Sequence, residues 1–429
     1  MRFTPYIVSL LLLLLLSNRM VAQDLLQFMK QRPEIKQIEE ISGNHNFKHT
    51  YEIKVRQPLN YADTTAGFFL QRVFVAEKQA ESPTVLITEG YNAAYAAKPD
   101  YINELSDILK ANQICIEHRY FGESCPDSMA WDYLTVENAA NDDHRIVELF
   151  KPYFKGKWLN TGISKGGQTA LAHRTFFPND VDLTVAYVAP LNFGVEDGRH
   201  EGFLRSVGTQ ADRDSIQNFQ IEILKRRESM TALLRRLSEE KGWDSKLTYD
   251  QMLDFVVLEY PFAFWQWGYH TDQIPSLKSN DEELFAYLIK VSDPSYFTIQ
   301  GSKPYQSFFY QAARELGYYG YDTEPLKDYL SMSTVKGYMN RFMVPVDHPV
   351  KYQPETSLKV DKFLKGDARN VMLIYGETDP WSASAAKLND DPSTIKIIAP
   401  HGSHLTRINT LSPTTKADAI AFIRSVMSK

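Results

Sequence analysis

Beyond one stretch near its start, the sequence has no apolar run long enough to cross a bilayer, and it has almost no cysteine. Two cysteines among 429 residues, Cys115 and Cys125, exclude a fold held together by disulfides. Ten positions apart, they could close one small loop in an oxidising compartment or stand as two free thiols. The chain also lacks any long basic block, and 53 Asp and Glu outnumber 47 Lys and Arg. That balance argues against nucleic acid as a partner, because phosphate binding needs concentrated positive charge. Internal repeats and low-complexity segments are missing too. His118 has no spaced His and carboxylate partners, so no metal site is expected. Nothing calls for an organic cofactor.

What is present begins with an export label. Arg2 precedes an apolar run, Ile7 to Leu16, and a polar, small-residue stretch ends in Val21-Ala22-Gln23. The run is short for a membrane span, so residues 1–23 read as a cleaved signal peptide. Its removal deletes Arg2 and Arg19 and no acid, taking the formal charge from −6 to −8. The mature chain is expected in the periplasm or the medium, with no transmembrane anchor. Its oligomeric state is not written in the sequence.

The mature chain is long enough for a large core and a second domain. A polar segment, Asp24 to Glu40, reads as helical. Residues 49–57 and 67–76 alternate as strands and suggest a hairpin at a sheet edge. Short apolar runs then recur at helix-length spacing: 85–87, 113–116, 158–159 and 185–188. Such alternation predicts a mostly parallel sheet covered by helices on both faces. From about residue 200 to 350 the sequence turns helical in tone, with a dense aromatic segment from Tyr260 to His270. Sheet-like runs return at 371–375 and 395–399. The expected division is a core over 24–192 and 356–429, interrupted by a mainly helical cap over 193–355.

The sharpest local signal is Gly162-Ile163-Ser164-Lys165-Gly166, lying between a predicted strand and a predicted helix. A Ser at such a turn needs small residues two before and two after it, so that strand and helix can approach. The helix N-terminus then points its free N–H groups at negative charge on a substrate. The spacing predicts the nucleophile turn of an α/β-hydrolase core. In that architecture an acid and then a His follow late strands. Asp379, in Gly376-Glu377-Thr378-Asp379, is the expected acid, with Glu377 as competitor. His404, in His401-Gly402-Ser403-His404, is the expected base, with His401 as competitor. The oxyanion donors are expected to be the backbone N–H groups of Lys165 and Tyr91; the charged Lys165 side chain need not take part.

Glu117-His118-Arg119-Tyr120-Phe121-Gly122-Glu123-Ser124 resembles a signature of the exported proline-preferring serine peptidases that include lysosomal dipeptidyl- and carboxypeptidases. Thr161 to Thr169, with Ser206-Val207-Gly208-Thr209, resembles more closely the secreted tripeptidyl aminopeptidases of the Streptomyces type, serine-peptidase family thirty-seven. Tyr310 to Tyr319 is similar to a cap segment of the proline-preferring enzymes. That segment usually carries a Cys near Ala313, and its absence here removes the corresponding disulfide. The resemblance implies a Ser164, Asp379 and His404 triad, and release of short units from free peptide amino termini, often after proline.

An aminopeptidase must hold a protonated amine, which calls for a carboxylate at the closed end of its site. Glu89, Glu117, Glu123 and Glu315 are the candidates. Arg119 is expected in an internal ion pair. The aromatics at 260–270, Trp265 among them, either line a pocket for a proline ring or form ordinary cap core. The competing readings are a proline-specific carboxypeptidase, which would need a cationic receptor, an esterase, and a catalytically silent binding protein.

Overall fold

The short apolar runs of the sequence become the inner strands of one sheet. The computed structural model describes residues 24–428; the leader expected over residues 1–23 lies outside them. Among the described residues the sheet has nine strands: β1 (Ile35–Glu40), β2 (His49–Pro58), β3 (Phe68–Glu77), β4 (Thr84–Thr88), β5 (Asn112–Ile116), β6 (Trp158–Ile163), β7 (Leu183–Tyr187), β8 (Val371–Gly376) and β9 (Thr394–Ala399). Their order is β1-β2-β3-β5-β4-β6-β7-β8-β9. The first three run antiparallel, and β5 onward is parallel. Strands β4, β5, β7 and β8 are buried along their whole length, which explains why they read as continuous apolar runs rather than alternating ones.

Val85 and Ile87 pack on one face with Leu105, Ala419 and Ile423, from the helices Glu104–Leu109 and Pro413–Met427. Leu86 packs on the other face with Ile146, Val147 and Phe150 of the helix Val136–Phe150. The helices Lys165–Phe176 and Glu355–Lys365 join that face through Leu171, Val360 and Leu364. This is an α/β-hydrolase core.

Between β7 and β8 the described chain holds no strand. Helices Gln210–Lys225, Arg227–Lys241, Tyr249–Gln266 and Asp281–Val291 surround their own core, which includes Phe219, Leu234, Phe255, Tyr260, Phe264 and Leu288. They form the inserted helical cap. No helix among the described residues is long and apolar enough to cross a membrane.

Two expectations change. Asp24 to Glu40 is not one helix: a single helical stretch, Leu25–Lys30, gives way to β1. Pro33 cannot continue the helical ladder, and β2 offers an unpaired backbone edge that Ile38 opposite Ile53 and Glu40 opposite Tyr51 complete. The hairpin β2–β3 is therefore not the sheet edge. The edge is β1, whose Lys and Glu side chains stay largely exposed, a common guard against edge-to-edge pairing. Both cysteines are free, Cys115 buried in β5 and Cys125 exposed.

Candidate active site

Ser164 sits where β6 hands over to the helix Lys165–Phe176, at φ 56° and ψ −120°. A non-glycine residue held there is strained, and the surroundings must enforce it. They do so by close approach: a Cβ on Gly162 would meet the carbonyl oxygen of Gly166 at 2.1 Å, and one on Gly167 would meet the Cβ of Ala189 at 2.7 Å. Strand and helix touch through their backbones, and Ser164 rides the tip.

The late loops converge just as tightly. A Cβ on Gly376 would lie 2.3 Å from the carbonyl oxygen of Gly402. That carbonyl accepts from Thr378 N at 2.9 Å and from Thr378 Oγ1 at 3.0 Å. Asp379, fully buried, accepts from His404 Nδ1 through Oδ2 at 2.7 Å and from Trp381 N through Oδ1 at 3.1 Å. With Nδ1 donating to the carboxylate, Nε2 of His404 is the tautomer's free acceptor. His404 N donates to the carbonyl of Gln266, at the end of a cap helix, at 3.0 Å. Arg407 Nη1 donates to the His404 carbonyl at 3.1 Å. Ser164 and His404 line one cavity of about 980 Å³ between core and cap. The competitors His401 and Glu377 pair with each other on the surface instead.

The turn after β4 is held from several sides. Lys165 Nζ, buried, donates to the Gly90 carbonyl at 2.7 Å and stands over the rings of Tyr91 and Phe121. Burial pushes the Lys165 amine well below the usual lysine range. In a trans peptide the N–H points opposite the C=O. Lys165 therefore clamps the Gly90–Tyr91 peptide with the Tyr91 N–H facing away from the amine. The Lys165 side chain thus fixes the orientation of the Tyr91 N–H, the expected second donor, while its own backbone N–H heads the helix.

Glu117 does not face the cavity. Its carboxylate binds Arg72 at 2.5 Å and accepts from Ala93 N at 2.9 Å, Glu123 N at 2.8 Å and Ser124 Oγ at 2.9 Å. Gly122, at φ +52°, leaves room for it: a Cβ there would lie 2.4 Å from Oε2. His118 N donates to the Tyr91 carbonyl at 3.1 Å, and its Nδ1 donates to the Arg119 carbonyl at 2.8 Å. Arg119 is buried against Asp142 at 2.6 Å. The segment Glu117 to Ser124 is thus a knot that fastens the Glu89–Ala93 turn from behind, and Glu117 is not available to a substrate amine.

The other expected substrate contacts divide. Glu89 and Tyr91 line the cavity, with Glu89 hydrogen-bonded by Tyr95 and its carboxyl pushed up by burial. Glu315 lies elsewhere: it accepts from Val136 N at 2.9 Å and Thr356 Oγ1 at 3.0 Å, tying cap to core. Glu123 is a surface partner of Lys54 and Arg72. Trp265 is not in the cavity lining and seats on Gly208, whose Cβ would lie 2.4 Å from its ring. This explains the Ser206 to Thr209 segment: Gly208 makes room for Trp265, and Thr209 caps the next helix with Asp212. The aromatic segment is mostly cap core, with Trp267 reaching the cavity.

Apart from Trp267, which lies 6.2 Å from the His404 ring, the cavity's cap wall was missed. It includes Glu259, Tyr296, Tyr305, Phe308, Tyr318 and Tyr319, with Trp381 from the core side. Tyr318 stacks on Tyr319 with centroids 4.2 Å apart, and Tyr319 meets Trp381 edge-on at 5.3 Å. Glu259 accepts from Tyr319 and Tyr321, each at 2.9 Å. Its burial raises the carboxyl to about 7. Only the helical spacing of cavity-facing residues around Ala263 and Gln266 could have suggested it, and an aromatic segment hides such a signal.

The model of the PS-10 peptidase S37 family matches residues 21–427. The chain belongs to this family of serine peptidases. A prolyl tri/tetrapeptidyl aminopeptidase of Streptomyces mobaraensis is 33% identical over 374 residues, 85% of this chain and 77% of that one. Human lysosomal Pro-X carboxypeptidase is 28% identical to the S37 peptidase over 148 residues, 31% of this chain and 30% of that one. Among solved structures, that of VinJ superposes with a TM-score of 0.41 at 12% identity, covering 87% of this chain and 98% of that one.

Proposed function

We propose that this S37 peptidase is an exported serine exopeptidase that releases di- or tripeptide-sized units from free peptide amino termini, with a preference for proline at the cut. The observation that carries the reading is the shared cavity: Ser164 and the Asp379-bound His404 open into one chamber roofed by the cap and walled by aromatic rings. A roofed chamber favours short peptides, and flat rings suit a proline ring. The similarity to the Streptomyces enzyme along 374 residues supports the same direction.

In this reading His404 Nε2 takes the Ser164 proton as Oγ attacks the peptide carbonyl. Asp379 holds the imidazole tautomer and stabilises its charged form. The N–H groups of Lys165 and Tyr91 bind the oxyanion. Protonated His404 then gives its proton to the departing amine, and water hydrolyses the acyl-enzyme by the same steps in reverse.

A carboxypeptidase would need a free cation for the substrate carboxylate. Among the described residues lining the cavity the cation is Arg407, and its guanidinium is engaged by the His404 and Thr406 carbonyls and the Tyr187 ring. Incubation with a mixed library of short peptides, half of them blocked at the amino end, tests the reading. Amino-terminal fragments from unblocked members alone support it. Loss of a carboxy-terminal residue from blocked members sinks it.

A further inference from the structure

Glu259 is a carboxylate recessed in the cavity wall with no positive partner. Among the described residues no Lys, Arg or His forms an ion pair with it, and its hydrogen bonds come only from the neutral hydroxyls of Tyr319 and Tyr321. A recessed charge without a cation is costly, and the cost is recovered when a cation arrives. The other cavity carboxylates stand differently: Asp293 is exposed to solvent and caps a short helical turn by accepting from Ser295 N at 2.9 Å. Glu89 takes the Tyr95 hydroxyl and lies in the field of Lys165. Glu104 takes the Tyr187 hydroxyl and the N–H groups of Ile408 and Asn409.

We infer that Glu259 is the receptor for the substrate's protonated terminal amine. The inference rests on the exopeptidase reading and deepens it. The primary ammonium would reach the carboxylate from the cavity, past the aromatic side chains that line it, because both faces of Tyr319 are taken, by Tyr318 at 4.2 Å and Phe262 at 3.7 Å. Tyr319 and Tyr321 fix the carboxylate's position before the substrate comes, so no side chain must be ordered during binding. Because Glu259 belongs to the cap and Ser164 to the core, the gap between them measures the released unit. A peptide whose amine cannot span it gains nothing from Glu259.

The groups around Glu259 leave it alone in titrating near neutrality. Tyr296, Tyr318, Tyr319, Tyr321 and Tyr338 are all held protonated by burial. His200, near the Tyr319 ring, is pushed down to about 4 by burial and stays neutral.

The test compares kcat/KM for Ala-Ala-Pro p-nitroanilide with that for its N-acetyl copy. The acetylated compound reports the triad alone, so the ratio isolates amine recognition. Wild type is expected to favour the free amine strongly, and Glu259→Gln to cut the ratio by about 30-fold or more, the scale of losing one partner of a buried charge pair. The wild-type ratio should also be bell-shaped in pH, rising as Glu259 ionises near 7 and falling as the substrate amine deprotonates near about 8. Glu259→Gln should lose the acid limb. A wild-type ratio near one overturns the exopeptidase reading itself. A large wild-type ratio unchanged in Glu259→Gln, or lost instead in Glu89→Gln, overturns Glu259 alone. Should Glu259→Gln fail to fold, Tyr321→Phe removes one donor to the carboxylate and should move the acid limb to higher pH; an unmoved limb overturns the assignment.

Discussion

The two walls of the cavity are built by different means. On the core wall, Ser164, Lys165 and the Gly90–Tyr91 peptide are placed by backbones in contact, with Gly90, Gly162 and Gly166 at separations no Cβ would allow. On the cap wall, Glu259 and the tyrosines are placed by side-chain packing around a helix whose other faces fill the cap core. Backbone contact dictates residue types at fixed spacing. Packing accepts many solutions, so the cap wall can vary while the core wall stays put. In the proposed reading this is a division between bond-breaking and choice of substrate.

The comparison is most severely tested by losing the base's orientation. Asp379→Asn should keep the fold and lower kcat by roughly 10³- to 10⁴-fold, because the imidazole loses its tautomer partner. Full retention of turnover would remove Asp379 from the mechanism. Next comes the clamp. Lys165→Met keeps the apolar stem and both backbone donors but frees the Gly90 carbonyl, so kcat for peptide cleavage should fall on the order of 10²-fold with KM little changed. A loss confined to KM would place Lys165 in substrate binding instead.

Two smaller effects separate scaffold from site. Glu117→Gln breaks the knot behind the oxyanion turn and should cost about 3 kcal/mol in urea unfolding, since it removes the buried one of Arg72's two carboxylate partners. An undiminished midpoint would mean that Arg72 finds adequate cover in Glu123. Glu259 should act in the opposite sense. Its carboxyl is raised to about 7 from an ordinary 4.5, so the fold prefers the protonated form. Stability is then fully present below about 4.5 and declines as pH rises through 7. Glu259→Gln should therefore match wild type in acid and exceed it by roughly 1–2 kcal/mol at pH 8, after allowance for the solvent that reaches the cavity. Parallel melting curves across that range would show that Glu259 carries no such penalty.

How much of this was legible follows the same division. The placement of Ser164 at a strand-to-helix turn, the pairing of Asp379 with His404 and the inner strands could be read because glycine spacing and unbroken apolar runs have few other causes. Glu117 could be noticed but not assigned: its segment marks the family, yet whether a Glu faces substrate or Arg72 depends on strands far apart in sequence. Trp265 and Glu315 misled for a related reason, since each joins pieces that only the fold brings together. Glu259 left only a helical spacing that the aromatic segment hides. Its neighbours Tyr319 and Tyr321 come 60 and 62 residues later, and nothing local distinguishes it from a surface Glu. The helix expected over 24–40 failed because β1 is defined by the edge it covers rather than by its own pattern.

The central claim is that Ser164 attacks a peptide bond close to a free amino terminus. Rapid quenching with a free-amine decapeptide carrying an early proline, followed by mass spectrometry of the Ser164 peptide, reads the acyl group directly. The account predicts an adduct equal to the short amino-terminal unit, absent with the acetylated decapeptide. An adduct comprising nearly the whole decapeptide, or one on a residue other than Ser164, would contradict it.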